Sequence, residues 1–513
     1  MNTVLSYFKK TVKAFPNNIS VEDVNGEITY KQLDELSDFL AANIIDALDK
    51  NVKNSPILVF LPKRIESVVS YVGILKTGNP YVPVDYQIPM QRFQVMIDNL
   101  NPEMIIANDE GIKIISENNI KTNAKIRNYT ELIEENTQLD CVQRCIEETI
   151  DVDPAYIMYT SGTTGIPKGV VISHRGIEDY ANWLIDEFDI SENSIFGLQS
   201  GFHFDNSVFD MYCSFFTGGK MVIIPEILFM YPSKLMPYLN EKKINIIFWV
   251  PTVMISVADS GALDAEKPKH LKTIVFAGEV MPNKQLNVWR KALPSCLYAN
   301  LYGPTEITVD CLFYIVDRDF SDSDPLPIGK DCPNSKVLIL KEDNTIAEAN
   351  EQGEICVLGC CVGMGYWNNP EQTQKAFVQN PLNTEYREIM YRTGDIGYRT
   401  DEGLVMYVGR KDSQFKLRGN RIELGEIEQN ALAIPEIERA CAIFDEVNQE
   451  ILVFIKTRTE TNLRKFNNEL KKYVPKYMLP SKLFIVDDFP YNKNNKIDRL
   501  ALKNKYLIKE ILK

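Results

Sequence analysis

Short runs of continuously apolar residues, each closed by proline or glycine, recur through the first half of the chain: SPILVFLP at 55–62, KMVIIP at 220–225, INIIFWVP at 244–251 and KTIVFAG at 272–278. A strand with one wet face alternates apolar and polar residues; these runs do not, so both of their faces must be covered. Longer stretches of helical period separate them, and this order predicts a large α/β unit built on a mostly parallel sheet. In such sheets ligands bind at the loops that leave the C-terminal ends of the strands. From about residue 330 the texture becomes more β-rich (KVLILKEDN, GEICVLG, EGLVMYVGR), which predicts a further small subdomain. After GRKD at 409–412 the remaining residues predict a compact α+β domain of ordinary size. The expected division is a core over 1–411 and a small C-terminal domain over 412–513, with the boundary at Asp412.

The bulk properties exclude several classes. The chain has 513 residues, of which 45% are hydrophobic, enough for substantial cores. Its 56 basic and 70 acidic residues give a net charge of -14, which opposes nonspecific adhesion to nucleic acid or an anionic membrane. No apolar run approaches the length of a membrane span, and the N-terminal MNTVLSYFKKTVKAF has no apolar signal core. A cytoplasmic protein without stable membrane insertion is expected. The ten cysteines, including Cys141/Cys145 and Cys356/Cys360/Cys361, lack zinc spacing and read as reduced thiols. With only His174, His203 and His270 available, the sequence points away from a histidine-rich metal site, and a Ser-His-Asp triad has few possible bases.

Residues 159–169, YTSGTTGIPKG, combine three glycines with hydroxyls and a lysine. Glycine lets backbone N–H groups approach an anion closely, so the composition suits a phosphate cradle, although the order of residues is not that of a P-loop. PAYIMYT before it and GVVISHRG after it read as strands, and on composition alone a flexible turn between them fits equally well. Further motifs follow in order: AGEVMP at 277–282, LYGPTEITVD at 301–310, YRTGDIGY at 391–398, GRKDSQFKLRGNRIELGEIE at 409–428 and NKNNKIDRLAL at 492–502. In this order and spacing the chain resembles the adenylate-forming superfamily over essentially its whole length. Within it, the resemblance is to amino-acid adenylation domains of nonribosomal peptide synthesis and to D-alanine carrier-protein ligases.

The resemblance implies an adenylate-forming core with a mobile C-terminal domain, and a reaction in two steps. A carboxylate attacks the α-phosphate of ATP to give an acyl-adenylate and pyrophosphate, and a phosphopantetheine thiol then takes the acyl group and releases AMP. It further implies that Thr160, Ser161, Thr163, Thr164 and Lys168 hold the phosphates, with Gly162 and Gly165 letting the loop fold over them. Glu306 binds Mg²⁺ and Thr305 contacts the α-phosphate, as a hard cation and phosphate oxygens require. Gly278, Glu279, Asn300, Tyr302 and Gly303 belong to the nucleotide site, with Tyr302 under adenine, and Asp395 accepts the ribose hydroxyls with help from Arg410. A lone Asp after Gly would otherwise be a turn former. Lys496, carried by the C-terminal domain, bridges the substrate carboxylate and the α-phosphate; as lysines of a solvated turn, Lys493 and Lys496 would carry no such role without the resemblance. Rotation about Asp412 then replaces Lys496 by the loop containing Gly419, which lines the pantetheine path.

Asp205, in GFHFDNSVFDMY, matches the aspartate that pairs with the α-ammonium of an amino acid, and such an anion is worth keeping only if the ligand brings a cation. Asp210, five residues on, fits a structural helix position. By the same resemblance Asn206, Phe209, Phe248, Val275, Ala277, Leu301, Val309 and Asp310 line a mostly apolar side-chain pocket, and Asp310 either bonds a polar substrate or points into the scaffold. D-alanine ligases typically carry cysteine where this chain has Ala277, which leaves room for a larger substrate. The expectation is a stand-alone, monomeric ligase that activates D-alanine or another mainly hydrophobic amino acid and loads a separate phosphopantetheinylated carrier protein, since no carrier motif follows Lys496. The alternative enzyme is an acyl-CoA synthetase, which Asp205 opposes; a non-enzymatic role would predict loss of Lys168, Glu306, Asp395 or Lys496, and all four are present.

Overall fold

The computed structural model describes residues 3–48, 52–136, 138–162, 167–411, 414–446, 448–490, 497–499 and 501–505. They divide into two compact units, Met1–Tyr86 with Leu100–Tyr159 and Gly169–Lys411, and Gln87–Asn99 with Thr160–Lys168 and Asp412–Lys513.

The first unit is α/β and contains, among the described residues, sheets of nine, seven and five strands. In the nine-stranded sheet, strands Ile19–Asp23, Lys220–Ile223, Ile195–Leu198, Ile246–Trp249, Thr273–Ala277 and Leu297–Tyr302 lie side by side and parallel. Antiparallel strands Gly26–Thr29 and Leu312–Ile315 flank them. The apolar runs of the sequence are these central strands, and alternate residues of each enter different cores. Phe196, Leu198, Phe248, Val275, Ala277, Ala299 and Leu301 face a core shared with Tyr156, Met158, Val170 and Ile172 of the seven-stranded sheet. Ile247, Trp249, Ile274, Phe276 and Tyr298 face another, covered by helices Pro232–Glu241, Pro251–Asp259 and Asn283–Ala292. Because both faces are buried, the strands have no polar alternation to display. The five-stranded sheet pairs Ser335–Leu340, Gly353–Gly359, Ile389–Arg399, Phe377–Gln379 and Val405–Arg410.

In the second unit, strands Ile437–Asp445, Glu450–Thr457 and Lys482–Ile485 form a sheet, and helices Leu424–Leu432 and Leu463–Leu470 pack on it through Ile427, Phe466 and Leu470 against Val453 and Ile455. Among the described residues no helix is long and apolar enough to cross a membrane. The ten cysteines carry no disulfide.

Candidate active site

Chain segments leaving the C-terminal ends of the parallel strands carry most of the predicted residues of the first unit. Ile195–Leu198 leads to Asp205 and helix Asn206–Thr217, Thr273–Ala277 to Gly278 and Glu279, and Leu297–Tyr302 to Gly303, Thr305 and Glu306. This is the ligand edge of a parallel sheet.

The wall of the predicted amino-acid pocket follows from strand register. Phe248 stands opposite Val275, and Ala277 opposite Leu301, so all four project from one face of the sheet. Phe209 packs on them from helix Asn206–Thr217, its ring centroid 5.1 Å from that of Phe248. Asp205 begins the same helix, half-buried, and its charge acts on the hydroxyl of Tyr156. Val309 and Asp310 are enclosed; Asp310 accepts a 2.7 Å hydrogen bond from Tyr180 of helix His174–Glu187, so the scaffold engages this carboxylate. Asn206 adjoins Asp205, and its Nδ2 is enclosed without a hydrogen-bond partner among the described residues. Asp210 is wholly buried in the helix, and burial holds its carboxyl well above the usual range while Lys63 acts in the opposite direction.

Three of the predicted nucleotide residues, Tyr302, Asp395 and Arg410, are hydrogen-bonded together. Asp395 and Arg410 are register partners on adjacent strands, and Arg410 Nη1 donates to Asp395 Oδ1 at 2.6 Å. Tyr302 Oη donates to the other oxygen, Oδ2, at 2.5 Å. Burial, then the Asp395 charge, pushes the Tyr302 phenol well above its ordinary pKa, so it stays a donor. Glu279 Oε2 accepts from the backbone N–H and the hydroxyl of Thr252, at 3.0 and 2.7 Å, and so caps helix Pro251–Asp259. Asn300 Nδ2 donates to the Pro327 carbonyl at 2.8 Å, and Gly278 uses a φ of 94° that favours glycine.

Thr305 and Glu306 sit in the loop between Leu297–Tyr302 and Leu312–Ile315, closed by a 2.8 Å bond from Cys311 N to the Tyr302 carbonyl. The loop doubles back so tightly that a Cβ on Gly303 would stand 2.1 Å from the Val309 carbonyl oxygen. Glu306 is fully buried; its Oε1 accepts from Tyr366 Oη at 2.8 Å, and its carbonyl accepts from Gly363 N. Two residues on, Thr308 has φ 75° and ψ -72°, a strained turn geometry that costs about 1–3 kcal/mol in a β-branched residue. A carboxylate oxygen is the donor a hard cation prefers, so Glu306 fits Mg²⁺. Among the described residues no group of three or more His, Cys, Asp or Glu is placed to hold a metal, so such an ion would rely on substrate phosphates for its remaining oxygens.

The remaining predicted residues fall in the second unit. Thr160 Oγ1 is buried without a partner among the described residues, Ser161 Oγ donates to the Arg421 carbonyl at 3.1 Å, and Lys168 Nζ stands 3.6 Å from Glu423. Gly162 follows Ser161 at the edge of the described segment, and Thr163, Thr164 and Gly165 lie outside the described residues, as do Asp412 and Lys496. Gly419, with φ 78°, and Arg418, with φ 53°, form the two-residue turn joining strands Gln414–Leu417 and Asn420–Glu423. Tyr156, Thr308 and Tyr366 were not legible as site residues: a buried Tyr or Thr carries no signal of its own, and their roles arise from contacts across 152 and 60 positions of sequence.

Residues 8–367 match the sequence pattern described as AMP-binding enzyme. The chain belongs to this family. It is 32% identical over 495 residues to the D-alanine–D-alanyl carrier protein ligase of Bacillus cereus (strain G9842), an alignment covering 93% of this chain and 94% of that protein. It is 30% identical over 499 residues to tyrocidine synthase 1 of Brevibacillus parabrevis, covering 96% of this chain and 44% of the synthase, so it spans less than half of that relative. Among solved structures, o-succinylbenzoate CoA synthetase from Bacillus subtilis superposes with a TM-score of 0.83 at 20% identity, covering 97% of this chain and 98% of the other. That similarity establishes a shared fold: a large adenylate-forming core with a smaller C-terminal domain.

Proposed function

We propose that the protein is an ATP-dependent ligase that adenylates an amino acid and transfers the aminoacyl group to the phosphopantetheine thiol of a carrier protein, with D-alanine or another mainly hydrophobic amino acid as substrate. The observation that carries this reading is Asp205, a carboxylate at the head of helix Asn206–Thr217 beside the apolar wall of Phe209, Phe248, Val275, Ala277 and Leu301. An anion there is useful to a ligand with an ammonium group and costly to a fatty or aryl acid. The aligned carrier protein ligase supports the same reading over nearly the whole chain.

In the first half-reaction the amino-acid carboxylate attacks the α-phosphorus of ATP, and the bond to pyrophosphate breaks. Two anions meet and a third leaves, so positioned positive charge and donors lower the barrier. Asp395 and Arg410 hold the ribose side, Tyr302 supports adenine, and Thr160, Ser161, Thr163, Thr164 and Lys168 with Gly162 and Gly165 hold the departing phosphates. Thr305 contacts the α-phosphate, and Glu306 would hold Mg²⁺, which supplies further positive charge to the phosphate oxygens. Lys496 bridges the carboxylate and the α-phosphate. In the second half-reaction the thiol sulfur attacks the mixed-anhydride carbonyl, loses its proton, and AMP departs. Rotation of residues 412–513 about Asp412 exchanges Lys496 for the Gly419 turn between the two steps. The enzyme works in this reading as a cytoplasmic monomer.

A panel of amino acids, D-alanine included, in amino-acid-dependent pyrophosphate exchange tests this reading. Exchange with an amino acid, and a rise in its KM of at least about tenfold in Asp205→Ala, are expected for loss of a charge-assisted contact. Exchange supported only by fatty or aryl acids would make the chain an acyl-CoA synthetase instead.

A further inference from the structure

Between Glu306 and the pocket residues Val309 and Asp310 lie two residues, and the second takes a backbone conformation that threonine rarely adopts. Thr308 is held there by three hydrogen bonds. Val309 N donates to the Ile307 carbonyl at 3.1 Å. The Thr308 hydroxyl donates to the Cys361 carbonyl at 2.8 Å, and the Thr308 carbonyl accepts from Tyr156 Oη at 3.1 Å. All of this is enclosed, with Thr308 1%, Tyr156 0% and Cys361 3% exposed. Nor is there slack around it. A Cβ on Gly176 would stand 2.7 Å from the Thr308 hydroxyl, and one on Gly303 would overlap the Val309 carbonyl.

The residue type matters as much as the geometry. Glycine or asparagine adopts a positive φ with little strain, whereas threonine brings the hydroxyl that ties the turn to Cys361. The other tether, Tyr156, comes from strand Pro154–Thr160, where burial, then the Asp205 charge, holds its phenol well above the ordinary pKa and so keeps it a donor. One hydroxyl therefore bonds the turn that joins Glu306 to Val309 and Asp310. Strain retained at a fully enclosed, multiply tethered position between two halves of a site is the pattern expected of pre-organisation.

We propose that Tyr156 and Thr308 are positioning residues for adenylation, the tethered turn setting Glu306 on the nucleotide side against Val309 and Asp310 on the amino-acid side. This rests on the amino-acid adenylation reading above. Neither residue touches a reacting atom; both act by removing freedom from groups that do.

The test uses the full chain with Tyr156→Phe, Thr308→Val and Thr308→Ser, assayed with the amino acid the unmutated protein turns over best. Tyr156→Phe and Thr308→Val are expected to lower kcat for pyrophosphate exchange at least about tenfold while the amino-acid KM moves less than about threefold, as for a lost alignment rather than lost binding. Thr308→Ser, which keeps the hydroxyl, should stay within about threefold of the unmutated kcat. Melting temperature, and the thermal shift on adding magnesium-ATP, should remain close to the unmutated values in Tyr156→Phe; this variant decides the matter if Thr308→Val folds poorly. Full turnover in Tyr156→Phe overturns the proposal, as does Thr308→Ser as impaired as a well-folded Thr308→Val. Absence of amino-acid-dependent exchange in the unmutated chain overturns the adenylation reading itself, and this proposal with it.

Discussion

Removing the Asp395 carboxylate separates a scaffold role from a nucleotide role. Arg410 Nη1 at 2.6 Å and Tyr302 Oη at 2.5 Å converge on its two oxygens, and the side chains of Asp395 and Arg410 are only 9% and 14% exposed. Deleting one partner of such a pair leaves an uncompensated charge, at a cost of about 3–5 kcal/mol; because some water reaches Arg410, the lower end is expected for Asp395→Ala. If Asp395 also accepts the ribose hydroxyls, each lost hydrogen bond to the carboxylate is worth about 1.5–3 kcal/mol, so the KM for ATP should rise at least about tenfold. Tyr302→Phe is the control: it removes one donor, keeps the ring and the Arg410 pair, and should cost about 1 kcal/mol of stability with the ATP KM within about threefold. Thermal or urea melts and pyrophosphate exchange against ATP concentration measure the two quantities separately. An Asp395→Ala protein that melts early yet keeps an unmutated ATP KM would refute the ribose assignment and leave Asp395 a scaffold residue.

His174 predicts acid lability. It is 1% exposed, its Nδ1 has no partner among the described residues, and burial, opposed by Asp153 and Asp151 and assisted by Lys53, pushes its pKa down from 6.5 to about 4. The neutral ring is therefore compatible with the fold above pH 6.5. Stability should fall as pH drops from 6.5 towards 4, because the unfolded chain takes up the proton first, by up to about 3 kcal/mol. Melting curves across that range should be flatter in a His174→Gln protein that folds; an unchanged slope would show that other groups govern the acid limb. Gly303→Ala places a Cβ 2.1 Å from the Val309 oxygen and 2.6 Å from Asp310 Cα, both backbone atoms. A loss of at least about 3 kcal/mol is expected, and a variant melting like the parent would show that the loop is looser than its packing indicates.

Much of the architecture was readable before any coordinates, and the reason is local. Runs such as INIIFWVP and KTIVFAG have no polar face to present to water, so they could only be central strands, and they are Ile246–Trp249 and Thr273–Ala277. The helix position of Asp210 also followed from its spacing within GFHFDNSVFDMY. The family was legible from motif order. Less legible were the partners of individual side chains. Glu279, expected in the nucleotide site, also caps a helix through Thr252, and Asp310, open to two readings, is engaged by Tyr180. Nothing adjacent in sequence announces either contact, because Thr252 and Tyr180 come from other elements.

By itself, then, the sequence determined the sheet-centred α/β class and the adenylate-forming family, and named Asp205, Glu306 and Asp395 as candidates for its chemistry, since hydrophobic period and motif spacing are properties of neighbouring residues. Only the tertiary structure decided which face of the sheet Phe248, Val275, Ala277 and Leu301 share, that Tyr302 and Arg410 converge on Asp395, and that Thr308 is held in a strained turn by Tyr156 and Cys361. Those are relations between residues tens to hundreds of positions apart, and they come into being only when burial of the two sheets' shared core brings the strands and their loops together.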